Sequence, residues 1–166
     1  VGAADLASLS GGDPDTWIYF YEDFLGAYDP RLRDSRGVYY TPREVIRAQV
    51  AICHDMLTSR FGRPLGFADE AVVVLDPGVG TGSYPLRVIA SAAESAAALG
   101  PGFVPTAISD LATRLHGFEI LVGPYAVAHL RLSEAIRGLG GALPADGLRL
   151  YLTDTLASPH TAPPLI

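Results

Sequence analysis

Apolar positions along the chain change their spacing several times, and each change marks an element. Trp17, Phe20, Tyr21, Phe24 and Leu25 recur at intervals of three and four, which predicts a helix from about Pro14 to Tyr28, ending before Asp29-Pro30. Aromatics at that spacing beside Glu22 and Asp23 read as core rather than as a surface for stacking bases. Residues 1–13, rich in Ala, Ser, Gly and Asp, form a loose lead-in. Ile46, Val50, Cys53 and Leu57, flanked by Val45, Ile52 and Met56, make a second helical stripe reaching about Arg60, with Gly62 to end it. Its start is signalled by Thr41 as N-cap, Pro42 at the first helical position and Glu44 completing a capping box. Cys53, on the stripe, reads as a core residue.

The pattern then shortens. Ala71-Val72-Val73-Val74-Leu75 is a brief apolar, β-branched run, read as a strand buried on both faces, as in a parallel sheet. It leads into Asp76-Pro77-Gly78-Val79-Gly80-Thr81-Gly82, and Ser83 to Leu99 is Ala-rich and helical, with Pro85 tolerated in its first turn. A Gly/Pro loop over 100–107 and a short helix over 108–115 follow. Leu115 to Ile120 reads as a second strand ending at Glu119. Pro124 to Leu139 is a helix with the stripe Tyr125, Ala128, Leu132, Ile136 and Leu139, closed by Gly138, Gly140 and Gly141. Leu148 to Leu152 is a third strand, running into Thr153-Asp154-Thr155. The βαβαβ alternation predicts an open, doubly wound α/β fold of Rossmann type, incomplete at about three parallel strands and preceded by N-terminal helices. Three stretches result: a helical segment over 1–66, an α/β half-domain over 67–156, and a linker over 157–166.

Composition narrows the function. The 166 residues are 49% apolar and 18% charged, enough for one sizeable core. A net charge of -6 argues against a chain that grips nucleic acid by itself, since that needs a clustered basic face. The lone Cys53 excludes an internal disulfide, and no Cys/His set has metal-ligand spacing, so no metal is expected. No apolar run is long enough to span a membrane and no leader is visible, which predicts a cytoplasmic protein. The first residue is Val1 rather than Met, as expected of a piece of a longer protein. His54, His116, His129 and His160 are scattered and read as surface or structural; Ser83 is not in a Gly-x-Ser-x-Gly elbow.

In an open α/β sheet, ligands lie beyond the carboxyl ends of the strands, and three carboxylates fall there. The glycine loop lets backbone approach a ligand at a helix N-terminus, but it fits neither the dinucleotide fingerprint, whose third glycine is Ser83 here, nor a Walker A loop. Asp76 before the glycines would repel a pyrophosphate and attract an ammonium group, which favours an amino-acid-bearing nucleotide. Glu119 can accept both hydroxyl protons of a ribose, and it lies further along than the roughly 20 residues of a simple dinucleotide unit. Asp154 can accept a hydrogen bond from an adenine amino group.

From about residue 14 to 156 the chain resembles the N6-adenine DNA methyltransferases, most closely the long single-chain restriction-modification enzymes whose methylase is fused to other modules. The segment Gly37-Val38-Tyr39-Tyr40-Thr41-Pro42 is similar to the one that closes over the cofactor's methionine part, with Tyr39, Tyr40 and Thr41 at its carboxylate end. Asp76 to Gly82 matches the family's Asp-Pro-x-x-Gly-Thr-Gly loop. The resemblance implies S-adenosylmethionine as cofactor, with Asp76, Gly78, Gly80, Thr81 and Gly82 at the methionyl group, Glu119 and Ile120 at the ribose, and Asp154 and Thr155 at the adenine. Gly78 and Pro85 stand where the family often has Ala and Leu, which should loosen or kink the turn. The catalytic Asn/Asp-Pro-Pro-aromatic segment, which holds a flipped adenine, does not occur; Ala162-Pro163-Pro164-Leu165 lacks both the amide and the aromatic and reads as linker.

The resemblance therefore implies the cofactor-binding part of a DNA adenine-N6 methyltransferase, inactive alone. DNA would be held by other parts of a protein that can also carry a nuclease or translocase. It further implies that the sheet is bare beyond its first strand. The alternatives are a non-catalytic binding module, a methyltransferase for another substrate, and a nicotinamide-dependent oxidoreductase. The Tyr39–Pro42 segment argues against the last two.

Overall fold

The computed structural model describes residues 41–157. The helix expected over 14–28, Tyr39, Tyr40, His160 and the Pro163-Pro164 stretch lie outside them. Helix α1 (Arg43–Arg60) begins one residue later than its cap signals predict. Pro42 takes the N-cap place with an extended ψ of 141°, and its carbonyl accepts the Val45 and Ile46 N–H groups at 3.0 and 3.1 Å. Thr41 is thus one position too early, and the capping box with Glu44 does not form: no side chain caps the helix. The core face of α1 carries Ile46 and Val50; four residues on, the row reaches His54 rather than Cys53, which is exposed. The expectation of a buried Cys53 is corrected by that one position. His54 stacks at a tilt on Phe67, 6.1 Å between centroids, and a Cβ on Gly66 would overlap its ring.

Strand β1 (Val74–Asp76) is shorter and later than the apolar run suggests. It is not buried on both faces: Val73 is 67% and Leu75 54% exposed. A parallel strand is fully covered only when elements close over both its faces, and here Val73 and Leu75 line an open apolar groove of about 750 Å³ shared with Ile52, Met56 and Phe61. Helix α2 (Ser83–Leu99) has the predicted ends. Pro85 is buried in its first turn, where the missing N–H costs nothing, and the helix runs on through it. Helix α3 (Val104–Arg114) occupies half of the expected Gly/Pro loop, because Pro105 opens a helix rather than breaking one, after a 3-10 turn at Pro101–Phe103. Strand β2 (Leu115–Glu119), helix α4 (Val122–Gly138) and strand β3 (Arg149–Leu152) follow the predicted order, with α4 starting two residues before Pro124.

The strands form one parallel sheet in the order β1-β2-β3. Asp76 is level with Gly117, and Glu119 with Leu152. Ala92, Ile108, Leu111, Ala128 and Leu132 are fully excluded from solvent, so the core is where α2, α3 and α4 meet the sheet. The compact unit that holds the sheet begins at Thr41. Helix α1 belongs to that unit and packs on α2. Among the described residues, β1 pairs only with β2. No described helix is long and apolar enough to cross a membrane.

Candidate functional site

Glu119 is the hub at the carboxyl ends of the strands. Nine-tenths buried, it accepts the Gly80 N–H on Oε2 at 2.9 Å and the Leu121 N–H on Oε1 at 2.8 Å. Its own carbonyl takes the Thr153 N–H at 2.8 Å, so one residue ties the glycine loop, the start of α4 and the turn after β3. Two backbone donors fix the carboxylate's direction, and each oxygen keeps a second lone pair for a hydroxyl. Val79 N–H donates to the Phe118 carbonyl at 2.8 Å, and the Thr155 hydroxyl donates to the Pro77 carbonyl at 2.5 Å. The loop after β1 is thus bonded to the tip of β2 and to the turn after β3.

Within the loop the glycines differ. Gly80 and Gly82 have φ of +53° and +88°, in the left-handed region that a Cβ penalises. Gly78 does not, and a Cβ there would meet open space. The loop's sharp turn therefore needs Gly80 and Gly82 but not Gly78. At Gly117 a Cβ would come within 2.7 Å of Leu150 and 3.0 Å of Val79, so its lack of a side chain lets Val79 close on β2.

Asp76 ends β1, and its Oδ1 accepts the Gly78 N–H at 3.1 Å. Its Oδ2 is buried with no protein partner. Burial pushes this carboxyl above the ordinary carboxylate range; the Gly78 bond works against that shift and the Glu119 charge adds to it. A buried carboxylate oxygen without a donor fits a ligand that brings an ammonium group. Asp154 is exposed and its Oδ1 accepts the Leu156 N–H at 2.9 Å. Ile120 is half-buried just past β2, and Thr41 is half-buried ahead of α1. The structure thus gathers Asp76, Gly78, Gly80, Thr81, Gly82, Glu119, Ile120, Asp154 and Thr155 at one end of the sheet.

Arg131, which the sequence reading did not single out, also reaches this end. From α4 its Nη1 donates to the Thr81 carbonyl at 2.8 Å and to Thr81 Oγ1 at 3.3 Å. Its signal was present, since it lies three residues after Ala128 and beside Leu132, an arginine on a stripe that faces the core. The described histidines take no part: His129 packs edge-on against Tyr125 at 4.6 Å, its pKa lowered by burial. No group of three metal-ligating side chains occurs among the described residues.

Solved structures similar to the chain agree with this architecture. The chain aligns with the cryo-EM structure of the DrdV–DNA complex at 25% identity and a TM-score of 0.70, covering 93% of this chain and 14% of that one. It aligns with the ATP-dependent Type ISP restriction-modification enzyme LlaBIII bound to DNA at 27% identity and 0.69, over 90% of this chain and 10% of that one. A nuclease-deletion mutant of the Type ISP enzyme LlaGI, in complex with a DNA substrate mimic, shares the fold at 23% identity and 0.61, with coverages of 87% and 11%. The chain therefore spans only a small part of the length of each. No curated protein matches it. The N-6 DNA Methylase family profile matches residues 13–162, nearly the whole chain, and the chain belongs to that family.

Proposed function

We propose that this chain is the S-adenosylmethionine-binding part of a cytoplasmic DNA adenine-N6 methyltransferase within a restriction-modification enzyme. The observation that carries the reading is the buried, unpartnered Asp76 Oδ2 beside a glycine loop that is bonded to Glu119. Asp76 takes the ligand's ammonium group, and the backbone from Gly78 to Gly82 lies along the methionyl chain. Glu119 and Ile120 hold the ribose and Asp154 and Thr155 the adenine, and the sequence resemblance assigns the carboxylate end to Tyr39, Tyr40 and Thr41. When bound, the cofactor supplies a methyl group on a sulfonium. The chain's own part is to fix that group in place, since oriented binding removes much of the entropic barrier to transfer.

The family membership supports methyl transfer, and the DNA in the similar structures supports DNA as the substrate. A chain of net charge -6 leaves the grip on DNA to other parts of the protein. The residues that hold the target adenine lie in those parts too, since the Asn/Asp-Pro-Pro-aromatic segment is not in this sequence; this chain alone transfers no methyl group. A fused nuclease or translocase fits the restriction-modification enzymes it resembles.

Calorimetric titration of the chain with S-adenosylmethionine, with NAD as control, tests the reading. Saturable binding of S-adenosylmethionine alone, lost in an Asp76→Ala, Glu119→Ala variant, is expected. Binding of NAD instead, or none by a folded chain, would overturn it.

A further inference from the structure

Burying a full charge is costly unless it is hydrogen-bonded in place, so buried charged side chains repay scrutiny. Among the described residues, two are buried: Glu119 at 9% exposure and Arg131 at 8%. Both bond the same short piece of backbone. Glu119, from the tip of β2, takes the N–H of Gly80. Arg131, from α4, gives to the carbonyl and hydroxyl oxygens of the next residue, Thr81. The peptide groups between them are oriented by an anion at the donor end and a cation at the acceptor end, where water competes poorly with either. Helix α4 also touches the loop sterically, since a Cβ on Gly82 would lie 3.5 Å from Ala128 and from Leu132.

We propose that Arg131 is a positioning residue of the cofactor loop: it fixes the Thr81 peptide so that the loop keeps the shape needed by the methionyl end of the ligand. This rests on the cofactor reading above. The guanidinium suits the task because one nitrogen, Nη1, carries two N–H donors, one for the carbonyl and one for the hydroxyl of the same residue. Because Arg131 donates to Thr81 Oγ1, the hydroxyl proton of Thr81 points elsewhere. The adenosine half of the ligand, held by Glu119 and Asp154, depends on Arg131 far less.

The test uses Arg131→Met, which keeps length and loses the donors, and Arg131→Lys, which keeps the charge and a single point donor. The chain is titrated with S-adenosylmethionine and, separately, with 5′-methylthioadenosine, which lacks the amino-acid end. Amide hydrogen exchange at Val79, Gly80 and Gly82 is followed without ligand. Arg131→Met is expected to weaken S-adenosylmethionine binding about tenfold or more, the scale of one charge-assisted hydrogen bond, while 5′-methylthioadenosine changes less than about threefold. The loop amides exchange about tenfold faster by the same reckoning. Arg131→Lys restores most of both effects.

Parallel loss of both ligands, or loop exchange unchanged in a folded variant, would overturn the role. Failure of the unmodified chain to bind S-adenosylmethionine would sink the cofactor reading, and the exchange result would then decide by itself whether Arg131 holds the loop. Should Arg131→Met not fold, Arg131→Leu, which also lacks donors, takes its place with the same expected outcomes.

Discussion

Asp76 titrates against the fold. Its carboxyl is raised first by burial, with the Glu119 charge adding and the Gly78 N–H opposing, so the native chain holds this proton more tightly than the unfolded chain does. Stability rises with pH only where the unfolded state binds more protons; here the native state does. The contribution of Asp76 is therefore fully present below the ordinary carboxylate range and is lost as pH rises through the raised native value. Asp76→Asn keeps an acceptor for Gly78 and removes the buried charge. The variant should melt above the unmodified chain at pH 7, with the gap closing as the pH falls into the carboxylate range, and it should no longer bind S-adenosylmethionine. Melting curves followed by circular dichroism from pH 4 to pH 8 decide this; an Asn variant less stable at pH 7 would show that Asp76 has a partner when ionised. Such a trade of stability for binding is common where a site holds a strained or desolvated group. At this scale the acids at the strand ends were legible in the sequence, because a carboxylate directly after an apolar run has few other places to be. Arg131 was not singled out although its spacing from Ala128 puts it towards the core, because the Thr81 carbonyl that it bonds lies 50 residues away in the sequence.

At the scale of elements, the loop between β1 and α2 shows which glycines the backbone requires. Gly82 combines a φ of +88° with close neighbours in α4, so Gly82→Ala should cost about 1–2 kcal/mol for the left-handed conformation. Gly78→Ala should stay within about 0.5 kcal/mol, as changes at unstrained surface positions do, and should bind the cofactor as before. Urea unfolding of the two variants side by side checks the contrast. Equal losses would mean that the loop's shape does not rest on Gly82. The sequence predicted α2 to the residue because a glycine of positive φ stands at each end. It placed α3 too late, since Gly100, Pro101, Gly102 and Pro105 read as loop when the last of them opens a helix. It read β1 as fully covered because an apolar run records what a strand is made to pack against, and in this chain one face meets an open groove.

That groove decides how the chain behaves as a whole. Val73, Leu75, Ile52, Met56 and Phe61 line it and are all exposed, and β1 beside them offers unpaired backbone groups along its outer edge among the described residues. Apolar surface gathered beside an open strand edge invites either a further strand or a second molecule. The 166-residue chain should therefore bind a fluorescent apolar dye while folded and should associate with itself as its concentration rises. Val73→Lys with Leu75→Lys puts two charges on the open face, each at a position already more than half exposed, so the loss of stability should stay within about 1 kcal/mol. Dye fluorescence and sedimentation should both fall towards those of a well-behaved monomer, while Asp76, Glu119 and the glycine loop, bonded to β2, β3 and α4, keep their affinity for S-adenosylmethionine. Dye binding unchanged by the two lysines would place the sticky surface elsewhere. Loss of cofactor affinity alongside it would mean that the edge of β1 and the site at its tip are one cooperative unit.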